Sequence, residues 1–552
     1  MDYTQADTSG GYLGTALREH DSESATAETL FRAYETRDAR FDGRFFVAVR
    51  TTKIFCRPVC PARTPKRANV TFYPSSAAAF AAGYRPCLRC RPERAPAVRG
   101  QESGGAVLVS RALEAIDAGA LNEGTLEELA ARIGVTARHL RRLFEEHLGA
   151  SPIAVAQMRR LLFAKQLIEE SALPLTQIAF AAGFGSVRRF NTALSGAYGR
   201  TPGSLRRRRA PAASGAQVLL RLGAIDARRF ADLLGFYRAR AFAGVEAVGE
   251  HDYARVIRAG QDAGVITVHA SADGLMLACE VPQSGQLPAI VARVKRMFDL
   301  DTPVAAIRAH LLRDPLLAPA LRKPGLGVPC AWDPYELAVR AVLGQQVSVA
   351  AATTLAGRLV ALLGEPLALP GAAGVASVAS SGIKEASQAA RGLSKAAAGM
   401  SPAVPGISLA AAGASASRLN RSFPPPVVLG AVSVDALRGI GLVRARAETL
   451  IGLGRHIAAN PAWRDRYSGL ESFCAEFCEL PGIGPWTAQY VAMRGFADPD
   501  AFPSGDLGLL RSAKSLGIAQ TPKELLQYAE RWRPWRAYAA QTLWNHEVRS
   551  AA

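Results

Sequence analysis

The chain has 552 residues, several times the roughly 100–200 of a single domain, so it is built from several units. Hydrophobic residues make up 49% and mean hydropathy is +0.06, which excludes a wholly disordered chain; 50 Gly and 33 Pro exclude a collagen-like one. The net charge is +19, and two short segments, 40–100 at +11 and 132–209 at +10, hold more than the whole excess, the electrostatic footprint of a polyanion binder.

Residues 1–25, rich in Thr, Ser, Gly, Asp and Glu, read as a flexible tail. A first compact unit spans 26–95, and 96–104 reads as a linker. Residues 105–207 form a helical unit with an internal repeat of 49–50 residues. Its first half carries Thr125, Glu128, Gly134, Leu140, Phe144, Gly149 and Ser151-Pro152; its second carries Leu175, Gly183, Phe190, Leu194, Gly199 and Thr201-Pro202. Each half predicts a short helix, a Gly turn and a second helix with an apolar inner face, and Thr125 with Glu128 predicts a capping box. Residues 208–215 are a second linker. Alternating apolar residues from 216 to 304 predict strands with helices between, and helical periodicity dominates 305–552. Residues 366–427, rich in Ala, Gly, Ser and Pro, are expected to be a disordered insertion.

No run of 18 strongly apolar residues predicts a membrane span, and no signal-peptide pattern opens the chain. Eight cysteines are too few for a disulfide scaffold. A cytoplasmic, nucleoid-associated protein of bacterial type is expected, in which clustered cysteines mean metal or chemistry.

Four of the eight cluster, as Cys56-x3-Cys60 and Cys87-x2-Cys90. That spacing suits one tetrahedral Zn²⁺, and by itself fits a purely structural ion. The stretches from Phe45 to Arg63 and from Gly83 to Pro92 resemble the N-terminal zinc domain of Ada-type alkylation-response proteins. The resemblance implies that Cys56 accepts a methyl group from a methylphosphotriester in DNA, once per molecule, on a zinc ion that is both structural and thiolate-activating. The charge logic agrees. Four thiolates on Zn²⁺ sum to −2, and methylation of one brings the site to −1, which weakens repulsion from phosphates. Cys279, Cys330, Cys474 and Cys478 are expected in the core.

The repeat resembles the AraC-type double helix-turn-helix domain. The second helix of each half, 136–148 and 185–198, is then the element for the major groove. Arg138 and Arg142 on the first, and Arg188 and Arg189 on the second, are the candidate DNA contacts.

Leu480-Pro481-Gly482-Ile483-Gly484-Pro485-Trp486 reads as a helix-hairpin-helix, in which Gly482 and Gly484 present backbone N–H groups to a phosphate. With Asp506 about twenty residues on, it resembles the helix-hairpin-helix DNA glycosylases, and 216–552 resembles the AlkA-type 3-methyladenine enzymes. Phe236 to Ala241, Arg340 to Ser348, Tyr528 to Arg536 and Leu543-Trp544 carry that likeness. The resemblance implies that Asp506 is the catalytic carboxylate and that Trp486, Tyr490 and Trp544 line the base pocket. Gln346 and Leu507 stand where the family has an inserting Leu and an aromatic. Trp486 stands where bifunctional relatives carry a nucleophilic Lys, so a monofunctional glycosylase is expected.

The expected fold is multidomain α+β. It comprises a small four-cysteine zinc domain, an all-α double helix-turn-helix domain, an α/β TBP-like subdomain and an all-α helix-hairpin-helix glycosylase domain. The expected partners are double-stranded DNA, both alkylated and promoter, and RNA polymerase once the protein is activated, with no membrane. Two rival readings stand beside this one. In the first, a methylation-activated transcription factor carries a glycosylase module that binds DNA without catalysis. In the second, the zinc domain only binds DNA and Cys56 is inert.

Overall fold

The computed structural model describes residues 22–38, 41–92, 95, 104–171, 173–206, 217–259, 262–271, 274–280, 284–322, 326–367, 418–465, 467 and 469–550. The first unit opens with α1 (Ser22–Glu35), so the last four residues of the expected tail are helical. Strands β1 (Phe46–Val49), β2 (Ile54–Cys56) and β3 (Val70–Tyr73), helix α2 (Ser76–Ala81) and strand β4 (Arg85–Pro86) follow. They form a four-stranded sheet in the order β3-β1-β2-β4. Phe46 and Phe55 pack edge-to-face at 5.9 Å across its core.

The helical unit runs α3 (Gly104–Asp117), α4 (Ala120–Glu123), α5 (Leu126–Ile133), α6 (Ala137–Leu148), α7 (Pro152–Glu170), α8 (Leu175–Ala181), α9 (Val187–Tyr198) and α10 (Pro202–Leu205). Thr125 and Glu128 close the expected capping box on α5. The repeat governs the local structure on both sides of the long α7. Thr136 and Ser186 cap α6 and α9, and Gly149 and Gly199 end them, both at φ 62. Ser151 and Thr201 then cap helices with Pro in the first turn. Gly183 needs its missing side chain: φ is +83, and a Cβ there would lie 2.3 Å from Asn122.

Strands β5 (Gln217–Gly223), β6 (Glu246–Val248), β7 (Asp252–Ala259), β8 (Asp262–Ser271) and β9 (Gly274–Glu280) form an antiparallel sheet in the order β5-β9-β8-β7-β6, with α11 (Ala227–Arg238) between β5 and β6. The period of two is visible in β5, where Val218, Leu220 and Leu222 are buried. They share one core with Phe230, Leu233 and Leu234 of α11 and with α12 (Leu287–Met297).

The remaining helices enclose a second core. They are α13 (Val304–Leu311), α14 (Pro334–Leu343), α15 (Val349–Leu363), α16 (Pro426–Ala431), α17 (Val434–Gly439), α18 (Arg444–Ala459), α19 (Leu470–Cys478), α20 (Pro485–Gly495), α21 (Leu507–Ser515), α22 (Pro522–Tyr528) and α23 (Arg536–Ser550). The expected insertion is too wide. Its ends are packed: Pro366 pairs with Arg421, Leu367 N donates to Asn420 O at 2.8 Å, and Ser422 N donates to Glu365 O at 3.0 Å. Phe423 is buried against Phe242 and Tyr335, and α16 begins at Pro426. A Pro- and Ser-rich composition hid one well-placed aromatic. Residues 368–417 lie outside the described residues.

One junction ties three units together. Arg91, just after the last clustered cysteine, pairs with Glu169 at 2.9 Å and Glu170 at 3.0 Å at the end of α7. Glu170 also accepts from Arg221 N of β5 at 3.1 Å, and Gln166 donates to Arg221 O at 2.7 Å.

Candidate metal centre and candidate base pocket

Parallel pairing of β2 with β4 sets Ile54 beside Arg85 and Phe55 beside Pro86. Both strands therefore end at one place, where Cys56 closes β2 and Cys87 follows β4. Cys87 N donates to Phe55 O at 3.0 Å, which fixes the second strand end to the first. Two turns bring in the other pair: Cys60 N donates to Arg57 O, and Arg57 N donates to Cys90 Sγ at 3.3 Å. The four sulfurs lie within 4.8 Å of one another and all four residues are buried. A tetrahedral zinc with bonds of about 2.3 Å needs sulfurs roughly 3.8 Å apart, so the cluster fits such an ion.

Electrostatics also calls for a cation. Contacts from Cys60, then Cys87 and Cys90, push the Cys56 thiol well above the usual range, while Cys56, then Cys60 and Cys90, hold Cys87 well below it. Neighbouring sulfurs cannot all ionise without a positive charge among them. Arg57, paired with Asp42, lies beside the cluster, and its Nη1 donates to Cys90 O at 3.1 Å. Cys56 is 6% exposed against 7% for Cys87 and Cys90, so accessibility does not single it out.

In the helical unit α6 and α9 turn Leu140, Leu143 and Phe144, and Phe190, Leu194 and Tyr198, inward. Arg138, Arg142, Arg188 and Arg189 are exposed on the same two helices. Arg142 reaches His139 at 3.2 Å, one turn back.

The hairpin joins α19 to α20. Gly482 has φ +84, and a Cβ there would sit 2.0 Å from Thr449 Oγ1 of α18, so no other residue fits. Its carbonyl accepts from Gln345 Nε2 at 2.9 Å, and Arg446 Nη2 donates to Gln345 O at 2.5 Å. The loop between α14 and α15 is thus tied to the hairpin. Gln346 stands exposed on that loop with φ +58 rather than buried among the pocket rings.

Asp506 is the N-cap of α21, and Gly508 N and Leu509 N donate to its Oδ1 at 2.9 and 3.0 Å. Its own helix thus supplies a purely structural role for the carboxylate. Two further donors go beyond a cap. Trp544 Nε1 of α23 donates to Oδ1 at 2.8 Å, and Trp486 Nε1 of α20 donates to Oδ2 at 3.0 Å. The carboxylate is half-buried at the rim of an aromatic cluster, not fully buried. Tyr490 stacks on Trp486 at 5.2 Å and 13°, and meets Trp544 at 6.4 Å and 78°. Sequence reasoning left two neighbours without a role. Arg494 lies 4.5 Å from the Phe236 ring centroid and within 5.3 Å of those of Tyr490 and Trp544. Trp486, Tyr490 and Arg494 follow at intervals of four on α20, a spacing visible in the chain; the approach of Phe236 from α11 is not.

Three family models match the chain: the metal binding domain of Ada over 29–93, a helix-turn-helix domain over 129–208 and the AlkA N-terminal domain over 220–333. A Mycobacterium tuberculosis (strain ATCC 25618 / H37Rv) protein named "Probable bifunctional transcriptional activator/DNA repair enzyme AlkA" is 36% identical over 524 residues, which is 94% of this chain and 96% of that protein. The chain belongs to this AlkA-type bifunctional family. It is a DNA-alkylation response protein that joins an Ada-type cysteine methyltransferase and activator unit to an AlkA-type glycosylase, and DNA is its partner. Parts of it match separate proteins of Escherichia coli (strain K12). DNA-3-methyladenine glycosylase 2 is 30% identical over 319 residues, covering 57% of this chain and 93% of that protein. Ada is 36% identical over 159 residues, covering 29% of this chain and 43% of Ada. No helix among the described residues is long and apolar enough to cross a membrane.

Proposed function

We propose that Asp506 and Cys56 are the two reacting residues of this AlkA-type chain, and that one zinc ion sits on Cys56, Cys60, Cys87 and Cys90. The observation that carries the glycosylase half is the grip of two indole N–H groups on one capping carboxylate beside stacked rings. Oδ1 takes three donors and Oδ2 only one. Oδ2 therefore keeps lone-pair capacity for the sugar or for water.

A base flipped from the stack enters among Trp486, Tyr490 and Trp544. As the C1′–N bond breaks, its electron pair leaves with the base and positive charge grows on the sugar. Asp506 stabilises that charge. It then receives a hydrogen bond from the water that attacks C1′, whose proton passes to the carboxylate or to bulk. Gly482 and Gly484 hold a phosphate near the site, and Gln346 enters the duplex where the base has left.

In the methyl transfer, Cys56 Sγ attacks the methyl carbon of a phosphotriester. The S–C bond forms, the C–O bond breaks, and the phosphodiester leaves as an anion. When bound, zinc would keep the sulfurs as thiolates at neutral pH. Arg57 and its neighbours steer the phosphate, while Arg138, Arg142, Arg188 and Arg189 hold promoter DNA. On this reading methylated protein recruits RNA polymerase, and the five-stranded sheet with α11 and α12 is the TBP-like subdomain. The functional units are 26–95, 105–207, 216–304 and 305–552, in a nucleoid-associated bacterial protein.

The test uses alkylated duplex DNA. Wild-type protein should release free 3-methyladenine and gain one methyl on Cys56 by mass spectrometry. Asp506→Asn should stop release and leave Cys56 methylation intact. Release that persists in Asp506→Asn sinks the Asp506 assignment; a Cys56 that stays unmodified sinks the other.

A further inference from the structure

The loop between α14 and α15 is held from three sides. Gln345, half-buried at its start, donates from Nε2 to Gly482 O at 2.9 Å and to Thr487 Oγ1 at 3.3 Å, and its carbonyl accepts from Arg446 Nη2 at 2.5 Å. The elements that hold it are alike. Gly441, buried Leu442 and buried Ala447 repeat the spacing of Gly482, buried Ile483 and buried Ala488, and both glycines have positive φ. The turn from α17 into α18 is thus a second hairpin of the same pattern. Arg446 and Thr487 are the third residues of α18 and α20, so Gln345 is gripped from equivalent positions of two hairpins. Beyond it, Gln346 is exposed in the left-handed region at φ +58, and Val347 is 37% exposed. Ser348 then caps α15, accepting from Ala351 N at 3.2 Å. Two exposed side chains therefore stand between a grip and a cap. A residue other than Gly keeps a left-handed φ only where its surroundings enforce it.

We propose that Gln345 is a positioning residue for base flipping, its amide holding the Gln346–Val347 loop ready to enter the duplex and in fixed register with the hairpin that grips the backbone. The inference rests on the reading of Gln346 as the entering side chain and Asp506 as the reacting carboxylate, and deepens it. Flipping a base costs stacking and pairing, and a group that fills the vacated space offsets part of that cost. A loop that must first be ordered loses some of the offset, because fixing each residue costs conformational entropy. A loop already ordered in the free protein avoids that loss. The Gln345 amide nitrogen is engaged by Gly482 and Thr487, so Gln345 acts through its neighbours rather than on the base.

Single-turnover base release is measured from one oligonucleotide carrying a 7-methylguanine, as a duplex and as a single strand. Gln345→Met keeps the side-chain length and removes both of its hydrogen bonds. Release from the duplex should slow about tenfold, the loss expected for one or two hydrogen bonds. Release from the single strand, which has no pairing to break, should stay within about twofold. Arg446→Met removes the grip on the Gln345 carbonyl and should give the same split if Gln345→Met does not fold. Gln346→Ala should also lose activity on the duplex alone, and the double variant with Gln345→Met should be no slower than the slower single one. With Asp506→Asn to stop chemistry, a 2-aminopurine beside the lesion should brighten less when Gln345→Met is added, while affinity for undamaged duplex stays within about twofold by anisotropy. Equal losses on duplex and single strand, which a merely structural role predicts, overturn the inference. So do losses that multiply in the double variant. Gln346→Ala that matches wild type while Gln345→Met shows the split sinks the reading of Gln346 and leaves the positioning role, with Val347 as the side chain presented. Wild-type protein that brightens 2-aminopurine but releases no base sinks the reading of Asp506 and leaves this one standing.

Discussion

The cysteine cluster and the Asp506 pocket achieve precision in opposite ways. The cluster draws four ligands from 35 consecutive residues, brought together by two strand ends and two turns. It is internally unbalanced, since its sulfurs repel until a cation joins them. The pocket draws on α11, α20, α21 and α23, from Phe236 to Trp544. Its carboxylate is held by four donors of the chain itself. On the proposed reading, chemistry at the cysteines is built from local spacing, whereas chemistry at Asp506 needs a whole folded domain around it.

That contrast is broken most severely by removing metal. Chelation should unfold the first unit and abolish methyl acceptance, because structural zinc contributes roughly 10 kcal/mol or more to such small domains. Base release should continue, read from the same sample by chromatography. Asp506→Asn is the mirror experiment, with release falling by roughly a thousandfold or more and zinc content unchanged by elemental analysis. Trp544→Phe sharpens the comparison. It keeps a ring and removes one donor to Asp506, and single-turnover release should slow by about ten- to a hundredfold. Gly482→Ala acts on the scaffold. It puts a Cβ against Thr449 and strains φ, which should cost about 2–4 kcal/mol in denaturant unfolding, and Thr449→Ala should recover part of the loss. Arg91→Ala tests whether the two halves behave as one body. Loss of its pairs with Glu169 and Glu170 should lower stability by about 1 kcal/mol and raise hydrogen exchange in β5.

Much of this is legible in the sequence. The cysteine spacing, the doubled helix pattern with its Thr125–Glu128 capping box, and the hairpin glycines are short-range patterns tied to backbone geometry. They appear in the structure within a residue or two of where they were expected. The ordered ends of 366–427 are not legible in the sequence, because composition alone cannot show that Phe423 has a slot between Phe242 and Tyr335. The structure makes Asp506 a half-exposed helix cap as well as the partner of two indoles, and the second of those roles depends on Trp544, 38 residues away in the chain.

What the amino-acid order determined by itself was everything whose physics acts over one turn or one strand pair: ligand spacing, caps, left-handed glycines and the sign of each segment's charge. Only the tertiary structure decided which distant groups share a space. It put Arg494 behind the pocket rings, tied Gln345 to Gly482 and joined Arg91 to α7 and β5. Those meetings depend on how helices pack across hundreds of residues, and packing is set by the sum of many weak contacts that no single stretch of sequence records.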